Sequence, residues 1–165
     1  MDSPPAELIA LARRTAQAHA LWPELVCAVV EQESSWNPWA LRYEAAFYDN
    51  YVAPYLTRCP PDSHAPALGV LTSSEIPGDA TEARARAFSW GLMQVMGQAA
   101  REHGFAGESL AALCDPATGL EIGCRILAAK LAAAEDNVTR ALLLWNGGAN
   151  HDYPAAVLAR ANRYK

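Results

Sequence analysis

Two glutamates stand two positions apart in the stretch EQESSWNPWA, and a carboxyl group can give a proton to a leaving oxygen and take one back. On a helix, Val26, Val30 and Glu33 share one face, whereas Glu31 lies about 160° away from Glu33. Burial on the apolar side disfavours the charged form of Glu33, which suits a general acid near neutral pH. Glu33 is therefore a candidate acid, although a glutamate near a helix end can instead be bonded to nearby hydroxyls or backbone, and we expect Glu31 to be an ordinary exposed carboxylate.

The elements that must position Glu33 are predicted to be helices. The helix that carries it begins near Pro23 and ends before Asn37–Pro38, because the residue before a proline is pushed out of helical geometry. Ser3 is a candidate N-cap for a preceding surface helix. Further helices are predicted from Asp79 and Glu82 through GLMQVMGQAAREHG to a cap at Gly104, then over Pro116 to about Ala134, Val138 to Trp145 and Pro154 to about Arg163. We expect a single all-α domain over residues 1–165, with at most a small hairpin in an insertion at about 41–80.

The composition and charge of the chain exclude several classes of function. Apolar residues make up 52% of the chain and charged residues 19%, which indicates a compact globule. The net charge of −5 and the lack of a Lys/Arg cluster exclude nucleic acid as the main partner. No run approaches transmembrane length, and the first residues do not resemble a secretory signal. We expect buried thiols at Cys27 and Cys124, and no metal or cofactor, because neither the cysteines nor the histidines show ligand spacing.

Five motifs in order carry a family resemblance: ESSWNPWA, SWGLMQVM, LCDPATGLEIGCRIL, ALLLWNGG and YPAAVLARANRY. Together they resemble the transglycosylase domain of soluble lytic transglycosylases, relatives of goose-type lysozyme. The resemblance implies an all-α lysozyme-like fold whose groove binds peptidoglycan glycan strands. It also implies that Glu33, followed by Ser34, is the catalytic acid and base.

The family mechanism implied by the resemblance needs one carboxyl, whereas ordinary glycosidases use two. Protonated Glu33 would give its proton to the glycosidic oxygen between N-acetylmuramic acid (MurNAc) and N-acetylglucosamine (GlcNAc). The ionised Glu33 would then take the proton of the sugar's own O6 hydroxyl, which closes a 1,6-anhydro ring. The resemblance therefore implies nonhydrolytic cleavage at the bacterial cell wall, in the periplasm or outside the cell, and we expect a monomer.

Substrate contacts are predicted from the second and fourth motifs. Gly91 permits close backbone approach, Met93 offers an adaptable apolar wall and Gln94 can both donate and accept hydrogen bonds, whereas we expect Leu92, Val95 and Met96 to pack in the core. Ser89 is a candidate sugar contact or helix cap. Trp145 replaces the family's tyrosine, and because an indole donates but cannot accept, we expect a stacking group rather than a hydrogen-bonding catalytic partner. Asn146 is a further binding candidate that also suits the turn.

The spacing of the first two motifs departs from the family, since 58 positions separate Glu33 from Gly91. We therefore expect an insertion at about 41–80, formed by one short helix and a long loop. Its aromatic residues, with Trp36 and Trp39, are candidates to stack on sugars; alternatively, Phe47 and Tyr51 anchor the insertion. The stacking candidates within it are Tyr43, Phe47, Tyr48, Tyr51 and Tyr55.

Two acidic residues of the insertion, Glu44 and Asp49, leave a second reaction open. A carboxylate across the groove from Glu33, with room for a water molecule, would permit inverting hydrolysis by a goose-type muramidase. A noncatalytic glycan-binding module is a third alternative, which would need the aromatic groove but not the acid. The sequence favours the transglycosylase because Glu33 stands at the matching position.

Overall fold

The computed structural model describes residues 4–58, 80–148 and 150–165. The chain forms mostly helices, with a small antiparallel sheet of strands β1, β2 and β3 in that order. The helices are α1 (Ala6–Ala18), α2 (Pro23–Ser34), α3 (Ala45–Phe47), α4 (Ala53–Arg58), α5 (Ala80–Ala85), α6 (Gly97–Glu102), α7 (Pro116–Ala133), α8 (Val138–Trp145) and α9 (Tyr153–Ala161). The strands are β1 (Leu41–Tyr43), β2 (Phe88–Trp90) and β3 (Val95–Met96), a π-helical turn covers Tyr48–Val52, and 3₁₀ turns cover Leu110–Cys114 and Asn162–Tyr164.

Helix α2 runs through the centre of the core. Pro23 occupies its first turn, where a missing N–H costs nothing, and every residue from Leu25 to Val30 is buried. The helix ends where Ser35 and Trp36 adopt left-handed backbone angles, with φ of 51° and 67°. This end confirms the prediction of a stop before Asn37–Pro38, and it places Glu33 in the last turn.

The core packs α1 and α9 against α2, and α7 against α1 and α8. Cys27 and Cys124 are fully buried free thiols, as predicted. Burial raises the pKa of Cys27 to about 11 and that of Cys124 to about 12. The helices predicted after Pro116 are confirmed within two or three residues, and Gly104, at φ 84°, ends α6 as expected. The N-cap candidate Ser3 lies outside the described residues.

The prediction of continuous helix through GLMQVM is wrong. The segment instead forms a turn followed by β3, and α6 begins only at Gly97. Gly91 and Gln94 have positive φ, at 68° and 48°, which breaks a helix, and the N–H of Gly91 donates to the carbonyl of Ala40 at 2.8 Å. Cross-strand pairing places Ser89 opposite both Arg42 and Met96. The second motif therefore forms the hairpin of β2 and β3, and this hairpin lies after the insertion rather than within it.

The described part of the insertion is more regular than predicted. Residues 41–58 form β1, α3, the π-helical turn and α4, whereas residues 59–79, including Cys59 and Asp79, lie outside the described part of the chain. Val52 and Tyr55 form a small separate core with Ala83 and Ala87, against which Phe47 packs. The rings of Phe47 and Tyr51 lie 4.9 Å apart. The anchoring alternative therefore describes Phe47 better than sugar stacking does.

A largely buried ion network joins α5 and the residue after it to α6. Glu82 accepts hydrogen bonds from Arg86 at 3.0 Å and from Arg101 at 2.8 Å, and Gln98 lies on the same network. Burial raises the pKa of Glu82, but the hydrogen bonds and charges of the two arginines outweigh it, so the pKa lies below its ordinary value. Glu82 is therefore a paired anion that holds the entry to β2 in place.

Candidate active site

A groove of about 550 Å³ opens beside the end of α2. One side is the sheet, whose strands contribute Arg42, Ser89 and Met96; helices α6 to α9 supply much of the remainder. Its lining residues are Gln32, Glu33, Arg42, Glu44, Ser89, Gln94, Val95, Met96, Ala99, Ile126, Lys130, Leu144, Trp145, Asn146, Gly147, Asn150 and Tyr153. The site predicted around Glu33 is thus an open groove lined by both polar and apolar side chains.

Glu33 is held in this groove through one of its two carboxyl oxygens. The hydroxyl of Tyr153 donates to Oε1 at 2.5 Å, and the indole N–H of Trp145 donates to the same atom at 3.1 Å. Oε2 accepts no hydrogen bond from the residues that the structure describes. An oxygen that already accepts two hydrogen bonds is the less favourable site for the hydrogen of a carboxyl group. In the protonated form of Glu33, the hydrogen is therefore expected on Oε2.

Tyr153 is the functional residue that the sequence reasoning missed. It begins α9, where Pro154 occupies the first turn, and its side chain is buried. Burial, the charge of Glu33 and the hydrogen bond to it raise the pKa of Tyr153 far above its ordinary value. The hydroxyl therefore stays protonated and remains a donor. A signal existed, since Tyr153 opens the last of the five motifs, but its partner lies 120 positions away.

Trp145 does more than the stacking expected of it. An indole cannot accept a hydrogen bond, but the acceptor here is the Glu33 carboxyl, so a donor is all that the position requires. Trp145 ends α8, and Asn146 follows at the cap position. The expectation that Trp145 is not a hydrogen-bonding partner of the acid is wrong in this structure.

Ser34 and Gln94 join the first motif to the second. The Ser34 hydroxyl lies 2.8 Å from the Leu92 carbonyl, and Gln94 donates through Nε2 to the carbonyls of Ala40 and Gly91 at 3.0 Å each. Gln94 lines the groove, and because Nε2 is engaged, Oε1 is left to accept a hydrogen bond. Ser34 does not line the groove, so its visible contact is with the GLMQ turn.

The close approach predicted for Gly91 is to the protein itself. A side-chain carbon on Gly91 would stand 2.3 Å from the carbonyl oxygen of Leu113. Met93, expected to form the apolar wall, is 1% exposed and packs on Gly123, so that expectation is wrong. Met96, which was assigned to the core, lines the groove instead.

Glu44 lies in the groove, whereas Asp49 does not. The Oε1 atom of Glu44 accepts from the Ser89 hydroxyl at 2.5 Å and from Arg42 at 2.8 Å. Ser89 is buried and lines the groove beside Glu44. Asp49 is exposed on the π-helical turn and is absent from the groove lining.

The aromatic candidates of the insertion pack elsewhere. Tyr43 is 46% exposed but lies outside the groove lining, with its ring 5.7 Å from Tyr48 and 5.2 Å from Phe88. Trp36 and Tyr55 are buried, which rules out sugar stacking by either in this conformation. Trp39 is exposed outside the groove lining. The structure therefore does not bring Tyr43 and Tyr48 to the acid.

Asn146 lines the groove, but its amide is engaged locally. Its Nδ2 donates to the Asn150 carbonyl at 3.0 Å, and its Oδ1 accepts from the Gly148 N–H at 3.0 Å. These bonds shape the turn after α8, as the sequence suggested. The Asn146 side chain thereby fixes the rim of the groove next to Trp145.

Glu31 is not the exposed carboxylate that the sequence predicted. Its side chain is 21% exposed and pairs with Arg163 at 2.8 Å. The Tyr164 hydroxyl donates to Oε2 of Glu31 at 2.7 Å and accepts from the Trp36 indole at 2.9 Å. Glu31 faces away from the apolar stripe, as predicted, but the end of the chain folds over that side and covers it.

A helical body, a small sheet and a groove that holds one glutamate at a helix end define a lysozyme-like fold. The family model of the Transglycosylase SLT domain matches residues 10–162, nearly the whole chain. The chain belongs to this family, and its activity is of the type that acts on peptidoglycan. A search of curated proteins and a search of solved structures gave no significant match.

Two negative findings apply to the described residues. No helix among them is long and apolar enough to cross a membrane. Within the same ranges, no three His, Cys, Asp or Glu side chains form a group that could hold a metal ion.

Proposed function

We propose that the chain is a lytic transglycosylase that cleaves the β-1,4 bond between MurNAc and GlcNAc and leaves 1,6-anhydroMurNAc ends. One observation carries the proposal: Trp145 and Tyr153 both donate to Oε1 of Glu33, and among the described residues none donates to Oε2. Such a carboxyl is oriented through one oxygen and exchanges protons through the other.

In the first step, Oε2 of Glu33 gives its proton to the glycosidic oxygen as the bond to C1 of MurNAc breaks. The negative charge that develops on the carboxyl is stabilised by the two donors on Oε1, since hydrogen bonds to charged groups are the stronger ones. In the second step, the carboxylate takes the proton of the MurNAc O6 hydroxyl while O6 bonds to C1. Glu33 regains its proton, and no water is consumed.

The neighbouring groups supply substrate contacts. Gln94 offers Oε1 to an N–H of an N-acetyl group, and Met96 offers an apolar surface. Ser89 and Asn146 lie at the groove wall and rim, while Ser34, Gly91 and Met93 support the wall from behind. Sugar contacts by Tyr43 and Tyr48 stay predictions that would need glycan to extend beyond the groove.

Hydrolysis by a muramidase is the second candidate, because Glu44 lines the same groove as Glu33. Oε1 of Glu44 is engaged by Arg42 and Ser89, and Oε2 remains to bind a water. We favour the transglycosylase because it requires only the carboxyl of Glu33, whereas hydrolysis would also require Glu44, whose Oε1 is held by Arg42 and Ser89.

The test is digestion of purified peptidoglycan followed by mass spectrometry of the released fragments. Anhydro ends are one water lighter than reducing ends, and we expect anhydro ends. Glu33→Gln should abolish cleavage, whereas the matched change Glu31→Gln, one half-turn away, should retain it. Reducing ends alone, lost in Glu44→Gln, would replace the proposal with the muramidase, and glycan binding without cleavage would favour a binding module.

A further inference from the structure

The groove contains a cation that the proposed chemistry does not use. Lys130 lies on α7, one helical turn beyond Ile126, and both side chains line the groove. Arg42 also lines the groove, but Glu44 neutralises it at 2.8 Å. Among the residues that the structure describes, Lys130 has no carboxylate within ion-pairing distance. Its charge is therefore not paired by any of these described residues.

Lys130 and Arg42 occupy different ends of the groove. The order of the sheet places Arg42 on the outer strand β1, then Ser89 on β2 and Met96 on β3. Beyond β3 the wall continues onto Ala99 of α6 and then onto α7, which carries Lys130. Arg42, which pairs with Glu44, therefore lies on the insertion side of the groove, and Lys130 lies on its α7 side.

The surroundings of Lys130 favour binding of an anion. Met96, Ala99, Ile126 and Leu144 supply an apolar lining on this side of the groove. Apolar walls lower the local dielectric, so a charge beside them attracts an opposite charge more strongly than a charge in open water does. A half-buried lysine also keeps its stem against the wall while the ammonium reaches the solvent.

We propose that Lys130 binds a carboxylate of the peptide stem attached to MurNAc; this inference rests on the proposed function. The sugar rings of an intact strand carry no charge, because the lactyl acid of MurNAc is joined to the stem as an amide. The carboxylates available to a groove cation are therefore those of the stem. Lys130 makes the α7 side a subsite that favours stem-bearing glycan.

The test measures binding in a Glu33→Gln background, so that it does not depend on turnover. Three tetrasaccharides serve as probes: one with free stem carboxylates, one with the same stems amidated, and one stripped of stems, which exposes the lactyl carboxylate. We expect Lys130→Met to weaken binding of the first probe by about fivefold and to leave the amidated probe unchanged. Lys130→Arg, which keeps the charge, should retain binding, and added salt should reduce the difference.

The outcomes separate the alternatives. Equal weakening for the free-carboxylate and amidated probes, or no weakening of either, would overturn the proposal. A loss confined to the stripped probe would assign Lys130 to the lactyl carboxylate instead and would also overturn it. Absence of cleavage by the unsubstituted protein would reject the proposed function, and the binding comparison would still decide whether the groove reads stem carboxylates. Thermal melting of each variant controls for folding.

Discussion

Removal of the Tyr153 hydroxyl tests how the protein controls its acid. Tyr153→Phe keeps the ring that packs at the start of α9 and deletes the donor that lies 2.5 Å from Oε1 of Glu33. A hydrogen bond to a charged group is worth about 1.5–3 kcal/mol, and the carboxyl becomes charged as the glycosidic bond breaks. If the transition state experiences most of that energy, kcat should fall about 10- to 100-fold.

The assay is initial-rate release of soluble fragments from peptidoglycan at saturating substrate. The chain provides a matched control, because Tyr164 donates to Glu31 at 2.7 Å in an equivalent tyrosine–glutamate pair outside the groove. Tyr164→Phe should cost about 1.5–3 kcal/mol of stability, because it too removes a hydrogen bond to a charged group, and should leave kcat unchanged. Trp145→Phe removes the longer of the two bonds to Oε1, at 3.1 Å, and should reduce kcat less than Tyr153→Phe does.

One result would refute this reasoning. If Tyr153→Phe folds normally and keeps half or more of the original kcat, the hydroxyl does not stabilise the charge on Glu33. Equal losses in Tyr153→Phe and Tyr164→Phe would also count against it, since the effect would then reflect packing at the end of the chain rather than the acid.

Three further predictions concern the scaffold. Gly91→Ala should destabilise the fold by at least about 2 kcal/mol in urea unfolding, because the new carbon would meet a backbone carbonyl at 2.3 Å and φ is 68°. The folded pKa of Glu82 is depressed, so its stabilisation is present above its unfolded pKa and is lost as pH falls through the folded value. Calorimetry should therefore show that the melting temperature depends less on pH below about 4.5 in Glu82→Gln than in the unsubstituted protein. With Cys59 replaced by serine, thiol reagents should react with Cys27, Cys114 and Cys124 only on unfolding, since all three are buried. Burial raises the pKa of Cys27 to about 11, that of Cys124 to about 12 and that of Cys114 above its ordinary value; rapid labelling of the native protein would contradict this.

Local patterns were sufficient to predict most of the helices and to place the Glu33 carboxyl on one face of α2. The spacing of Val26, Val30 and Glu33 placed the carboxyl on the buried side of α2, and Asn37–Pro38 predicted where that helix ends. These signals lie within a few turns of one another along the chain. They therefore predicted the helix and the orientation of Glu33 on it, but not the groups that surround it.

The errors arose where partners are distant in sequence. Strand β2 is three residues long, and its pairing of Ser89 with Arg42 joins the start of the insertion to a position beyond its end, so no local period indicates it. The turn at Gly91 then reversed the expected facing of the methionines, so that Met96 rather than Met93 reaches the groove. Tyr164, which covers Glu31, lies more than 130 positions away in the sequence. Local pattern could not indicate this contact, and Glu31 was therefore predicted to be exposed.

The alternation of β1 gives the insertion two surfaces that can change separately. Arg42, and Glu44 just beyond the strand, line the groove, whereas the alternate residues Leu41 and Tyr43 are exposed outside the groove lining. Substitutions at Arg42 or Glu44 should therefore change which ligands the groove binds. Substitutions at Leu41 or Tyr43 should change the outer surface without altering the groove around Glu33. The alternate residues of this one edge strand can therefore be substituted separately, one set to change ligand specificity and the other to change the protein surface.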